Sequence, residues 1–213
     1  MAKFPLPPAS HVPASIPAIF HHLKAGTSLA RIYFTGQPYP TTWNQFRDVG
    51  PLDSRFDHHL PDSLGNPQPQ AHTVLYCAEH YLTALAESFQ QFRRIDRFRR
   101  TPWLAIFDLT RDGDLLDLTG VLPTQLGASM ALNNGSRQRA RLWARVLYAA
   151  YPTCVGFYYS SSMHRNQPCI VFNDRAMTLG ILPPHPRFNR PLADPVLLPL
   201  LNEGARYLNY KLR

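Results

Sequence analysis

The sequence predicts one mixed α/β domain of the α+β kind, and three observations predict it. Its 213 residues, 45% of them apolar and 12% aromatic, suffice for a sizeable core without the staples that small folds need. Short runs rich in β-branched and aromatic residues alternate with longer runs of helical period. Neither an internal repeat nor a low-complexity linker divides the central segment.

The elements follow in order. A helix is predicted over Ser15–Lys24, with Ser15 as N-cap and Pro17 tolerated in the opening turn. Ala30–Phe34 reads as a strand. The stretch from Gly36 to His72 is punctuated by prolines and reads as a long loop, carrying Tyr39, Arg55 and Phe56. Thr73–Ala78 is a strand leading directly into a helix over Glu79–Arg94. In that helix Leu82, Leu85, Ala86, Phe89 and Phe92 form an apolar stripe, and Glu87 lies at its edge. Pro102–Leu109 is the next strand. The turn signal Asn133-Asn-Gly135 precedes a helix over Gly135–Ala150, capped by Ser136, with Leu142, Val146 and Ala149 inward. Cys154–Tyr159 and Cys169–Asn173 are strands, and Leu197–Tyr207 is a closing helix. The expected organisation is an extension and helix over 1–28, a core over 29–180, and a Pro-rich wrap with its helix over 181–213.

Composition narrows the function. Cys77, Cys154 and Cys169 are odd in number and form no CxxC pair, which points to a reducing compartment and buried thiols. Prolines from Pro5 to Pro17 break any signal-like apolar run, and no stretch is long enough to span a membrane, so a cytoplasmic protein without a membrane partner is expected. The net charge of +8 gathers at Arg93–Arg100 and at Arg137–Arg141 with Arg145. Such patches attract nucleic acid, anionic substrates or an acidic partner, or are simply solvated faces. GxSxG, P-loop, HExxH and Gly-rich dinucleotide motifs are absent. The pairs His21-His22 and His58-His59 are adjacent in sequence and seldom share one metal, so no metal and no bound cofactor are expected.

Certain residues nevertheless suit one chemistry. Arg31 and Arg55 offer planar forks for a pyrophosphate. Tyr33, Tyr76 and Tyr159 offer ring surfaces. Glu87 is able to accept a hydrogen bond from a ribose hydroxyl and to stabilise positive charge at the anomeric carbon. Ser161 is placed either to fix that glutamate or to hold a nicotinamide amide. These are the needs of a site that cleaves the N-glycosidic bond of NAD through an oxocarbenium-like state. Taken singly, the arginines equally fit surface ion pairs and the tyrosines equally fit the core.

The ordered set Arg31, Ser54-Arg55-Phe56-Asp57, Glu87, Leu115-Leu-Asp-Leu-Thr119 and Val155–Ser162 resembles the RES domain, from about Leu29 to Phe172. That family, the toxin component of bacterial RES–Xre toxin–antitoxin systems, is named for an arginine, a glutamate and a serine. Here they match Arg31, Glu87 and Ser161. Ser161 is taken over Ser160 and Ser162 because Gly156-Phe-Tyr-Tyr-Ser-Ser161 fits the family's Gly-apolar-x-Tyr-x-Ser run. The resemblance implies a fold similar to the diphtheria-toxin-type ADP-ribosyltransferases, NAD as substrate rather than cofactor, and an Xre-type antitoxin as partner. It also implies that Arg31 anchors the NAD phosphates with help from Arg55. Tyr76 would then shape the pocket, Glu87 would be the essential carboxylate, and Ser161 would line the ribose–nicotinamide end. Water, phosphate or a protein side chain would serve as acceptor. Two departures concern the phosphate contacts: Ser54 precedes Arg55 where the family commonly has glycine, and Arg165 is displaced beyond Ser162-Met-His164. The alternatives are a protein ADP-ribosyltransferase on the same fold, an inactive RES domain that serves as a binding partner, and a nucleic-acid-binding module using Arg93–Arg100. Direct nucleic-acid contact is the least expected.

Overall fold

A computed structural model describes residues 4–8, 16–36 and 40–213. In chain order the strands are β1 (Phe20–Leu23), β2 (Ser28–Phe34), β3 (Arg47–Gly50), β4 (Gln68–Ala78), β5 (Arg94–Ile95), β6 (Pro102–Asp108), β7 (Gly113–Asp117), β8 (Gly156–Ser160), β9 (Pro168–Asn173), β10 (Phe188–Pro191) and β11 (Lys211–Leu212). The helices are α1 (Tyr81–Ser88), α2 (Leu122–Gln125), α3 (Ala131–Asn134), α4 (Arg137–Ala150), α5 (Asp174–Leu179) and α6 (Leu198–Leu208). Nine strands form one mixed sheet in the order β1-β7-β8-β9-β4-β2-β6-β10, with β3 alongside β4. Within this sheet, among the described residues, only β7 and β8 pair in parallel, and their connection carries α2, α3 and α4. A parallel pair requires a crossover of this kind. The predicted mixed α/β domain is therefore present, built on one large sheet.

Alternation along β4 sorts the core into two layers. Val74 and Ala78 join a buried cluster with Leu85 of α1, Trp143 and Leu147 of α4, and Leu201 of α6. Leu75 and Cys77 join the other cluster, with Trp43, Phe107, Ile170 and Ala176 of α5. Because both faces are covered, the central strands read as nearly continuous apolar runs. All three cysteines are buried and free.

Some expectations are corrected. Phe20–Leu23 is not helical: it pairs antiparallel with β7, from Phe20 opposite Leu116 to Leu23 opposite Gly113. This segment has no helical stripe to bury, whereas the edge of β7 offers its backbone partners. The N-cap expected at Ser15 lies outside the described residues. Helix α1 ends at Ser88, six residues before the predicted end, and Phe92 is 65% exposed. Beyond it Arg93 adopts φ +44°, and Arg94–Ile95 pairs with β11 instead. In α4 the Ser136 cap is present, accepting from the Arg139 amide, but the buried positions are Ala140, Trp143, Ala144 and Leu147. The inward face is thus turned away from the predicted Leu142, Val146 and Ala149. Trp143 sets it: its ring is 1% exposed, and its Nε1 donates to the Pro5 carbonyl at 3.0 Å.

The long loop also holds more structure than its prolines imply. It contains β3 and the first residues of β4, and an Arg47–Asp57 ion pair at 2.7 Å, with the carboxylate fully buried, ties β3 to the segment that follows it. β1 and β10 end the strand order of the large sheet, while β11 pairs with β5 in a separate two-stranded sheet.

Among the described glycines, Gly156 sits closest to neighbouring backbone. A Cβ there would lie 2.1 Å from the Val171 carbonyl oxygen and 2.9 Å from Phe172 Cα. Only backbone movement relieves such contacts. Gly156→Ala is therefore expected to destabilise the fold by about 3 kcal/mol. It should appear as a lower denaturant midpoint with an unchanged slope. A wild-type midpoint would refute the close approach.

Candidate active site

The site begins where two strands part. β2 and β4 are paired only through Ala30 and Ala78. Along its length β2 follows β6, whereas β4 follows β9 from Val74 to Ala78. A cleft of about 290 Å³ opens at this fork. Arg31 from β2, Arg55 from the loop, Tyr76 from β4, Glu87 from α1 and Tyr159 from β8 all line it.

Arg31 is buried. Its Nη2 donates to the Gln45 carbonyl at 3.2 Å, while its Nη1 has no partner among the described residues. Burial lowers the guanidinium to about 10, so it stays charged at neutral pH. A buried cation with one unpaired nitrogen lacks an acceptor, and an anion in the cleft supplies one. Arg55 donates through Nη1 to the Gly135 carbonyl at 2.7 Å, and burial, then the neighbouring Arg137, lowers its guanidinium.

Glu87 lies in the last turn of α1. Its Oε1 accepts from Ser161 Oγ at 2.6 Å, and its Oε2 accepts from Gln90 Nε2 at 3.2 Å. The Ser161 hydroxyl also accepts from the amides of Met163 at 3.1 Å and His164 at 3.0 Å. With donor and acceptor sites all engaged and only 1% exposure, Ser161 sits behind the glutamate. Its neighbours Ser160 and Ser162 face the cleft instead. Of the two roles expected for Ser161, the geometry matches fixing the carboxylate.

A second line of contacts holds Glu87 from the other side. Arg137 donates through Nη2 to Gln90 Oε1 at 2.7 Å and pairs through Nη1 with Asp53 at 2.7 Å. Asp53, Arg137, Gln90, Glu87 and Ser161 thus form one continuous polar chain. Asn133 adds a further brace, donating to the Leu118 carbonyl and accepting from the Ser160 amide. Sequence reasoning missed Gln90, Arg137, Asp53 and Asn133. The helical i, i+3 spacing of Glu87 and Gln90 was the one available signal.

The tyrosines divide. Tyr76 and Tyr159 line the cleft, and burial pushes both phenols well above their ordinary range. The Tyr159 ring meets Phe56 edge to face, with centroids 4.7 Å apart. Tyr33 is not brought into the cleft. It is buried in the other core layer near Trp103, and its hydroxyl donates to Asn189 at 2.8 Å, because β2 follows β6 there rather than β4. Cys77 and Cys169 also line the cleft, but burial raises both thiols, so neither supplies a thiolate. Tyr39 lies outside the described residues. Arg165 packs over the Tyr207 ring at 5.5 Å and does not line the cleft.

The basic clusters tie segments together. Arg97 donates to the carbonyls of Leu192 and Ala193 at 2.9 and 3.0 Å. On α4, Arg137 and Arg141 pair with Asp53, Arg139 bonds the Phe4 carbonyl, and Arg145 bonds the His59 carbonyl at 3.0 Å. These contacts take five arginines out of a freely solvated face. No helix of the described residues is long and apolar enough to cross a membrane.

The family model of the RES domain matches residues 28–191. The chain belongs to the RES domain family. In this RES domain the matched span runs from the start of β2 to the end of β10 and contains every residue named at the cleft. Among solved structures it is similar to a chain of the M. tuberculosis MbcT–MbcA toxin–antitoxin complex. The TM-score is 0.54 at 13% identity, covering 87% of this chain and 92% of that one, which is a likeness of fold. Comparison with curated proteins finds no match.

Proposed function

We propose that this RES domain is a toxin that cleaves the nicotinamide–ribose bond of NAD and is restrained by an Xre-type antitoxin. The observation that carries the reading is the Glu87 carboxylate, fixed by Ser161 in a cleft that also holds the unpaired guanidinium nitrogen of Arg31. Family membership supports it, and so does the likeness in fold to a chain of a toxin–antitoxin complex. The reading carries with it a diphtheria-toxin-type ADP-ribosyltransferase fold, a catalytic core over 29–180 flanked by the two wrapping ends, and action in the cytoplasm.

In this reading Arg31 and Arg55 hold the pyrophosphate, and Tyr76 and Tyr159 wall the nicotinamide–ribose end. The C1′–N1 bond breaks with its electron pair passing to the pyridinium nitrogen, which leaves as neutral nicotinamide. Positive charge then spreads over C1′ and the ring oxygen of the ribose. Glu87 stabilises it as a fixed negative charge, already oriented by Ser161 and Gln90. Oε2 retains a lone pair for a ribose hydroxyl. Water or phosphate forms the new bond to C1′ and gives up a proton. A protein side chain as acceptor makes the same chemistry an ADP-ribosyltransferase.

The test follows nicotinamide and the ribosyl product in buffer, in phosphate and with added lysate protein. Free ADP-ribose, its phosphorylated form or labelled protein names the acceptor, and intact NAD in all three arms contradicts the reading. Within this assay Ser161→Ala is expected to lower kcat by roughly 10- to 100-fold with KM nearly unchanged, since the serine positions Glu87 rather than touching substrate. Equal loss in KM would instead place its hydroxyl on NAD.

A further inference from the structure

Outside the cleft, four polar side chains from separate segments converge. His58 comes from the loop before β4, His72 from β4, Tyr148 from α4, and Asp174 opens α5. His58 Nε2 lies 4.0 Å from Asp174 Oδ1, and His72 Nδ1 lies 3.7 Å from the same oxygen. Tyr148 Oη stands 3.1 Å from His72 Nδ1 and from Asp174 Oδ1. The ligand atoms of His58, His72 and Asp174 all fall within 4.8 Å of one another. A tetrahedral ion with bonds of 2.0–2.1 Å sets its ligands about 3.3 Å apart. The two Asp174 edges are therefore within 1 Å of that spacing, and His72, with its side chain 45% exposed, is the least confined of the three ligands.

An independent observation points the same way. The His58 side chain is 2% exposed, and its Nε2 is buried without a hydrogen-bond partner among the described residues. Native proteins seldom leave a buried ring nitrogen unpaired. The ring is clamped face to face on Tyr148, with centroids 4.3 Å apart, so it is not free to turn toward solvent. His59, whose ring stacks near that of His58, is already engaged by Asp57 and by the His72 carbonyl. Arg175 is the nearby cation, lying 4.0 Å from the Tyr148 ring, and its guanidinium is tied to the carbonyls of Tyr148, Tyr151 and Cys154.

We propose that His58, His72 and Asp174 bind a divalent transition-metal ion of the zinc class, with water or the Tyr148 hydroxyl in the fourth position. Two imidazoles and one carboxylate form a donor set suited to such an ion. The expectation of no metal rested on adjacent histidine pairs, whereas these ligands meet only through the fold. Bound there, the ion fastens the loop three residues after Arg55 to β4 and α5.

The full-length protein, stripped with chelator, is titrated with Co²⁺ as a spectroscopic probe and then with Zn²⁺. One equivalent of Co²⁺ should give the visible d–d absorption of a low-coordinate site, and Zn²⁺ should displace it. His72→Ala and Asp174→Ala should each weaken Zn²⁺ binding by about 100-fold or more, without changing the far-UV spectrum of the metal-free protein. Absence of the Co²⁺ signal in the wild-type protein overturns the proposal. So does equal Zn²⁺ affinity in wild type and both variants, which would move the ion to other histidines. Neither outcome bears on NAD cleavage.

Discussion

Glu87→Gln is expected to slow nicotinamide release by about 10³-fold or more, equivalent to roughly 4 kcal/mol of transition-state stabilisation. The substitution is nearly isosteric. Its carbonyl oxygen still accepts from Ser161, so the loop over Ser161–His164 keeps its anchor. What is lost is the negative charge beside the developing oxocarbenium. Because NAD carries less charge at C1′ in the ground state, its affinity should change only a few-fold. Calorimetric binding of NAD beside the rate measurement separates the two. Activity within tenfold of wild type would remove Glu87 from the mechanism.

Arg31→Met is expected to separate stability from function. Among the described residues the buried guanidinium makes one bond, to the Gln45 carbonyl, and its Nη1 is unpaired. Replacing such a charge with an apolar side chain of similar volume is typically neutral or stabilising. The denaturant midpoint should therefore hold or rise. NAD affinity should fall by about 100-fold, the loss of one to two charge-assisted bonds to phosphate. Arg31→Lys should rescue little, because an ammonium lacks the planar fork. A clear loss of stability with NAD affinity intact would make Arg31 a structural brace.

The sequence was most legible where burial imposes a strong pattern. The central strands are covered on both faces, so Cys169–Asn173 stands out to within one residue of β9, and Thr73–Ala78 marks the buried half of β4, whose more exposed first five residues carry no such signal. Edge elements carry no such signal. β1 and β10 owe their conformation to a neighbour's free backbone groups, which local sequence does not encode. The α4 face was misjudged because its one dominant side chain, Trp143, fixes the rotation that Leu142 and Val146 suggest otherwise. At the site, the structure brings five of the seven expected residues to the cleft wall and sets Ser161 directly behind one of them, Glu87. Tyr33 failed because alternation places a residue on a face but does not say which neighbour its strand follows. The Asp53–Arg137–Gln90 brace was hidden for a related reason: an arginine in a basic run looks solvated until the loop that bears its partner is in place.

The central claim is that the cleft at the β2–β4 fork cleaves NAD. It is tested most directly by incubating purified, antitoxin-free protein with NAD and quantifying nicotinamide over time. The account predicts one nicotinamide for each NAD consumed, with release slowed by about 10³-fold or more in Glu87→Gln. Intact NAD after prolonged incubation with folded protein, in the presence of water, phosphate and candidate protein acceptors alike, would contradict it.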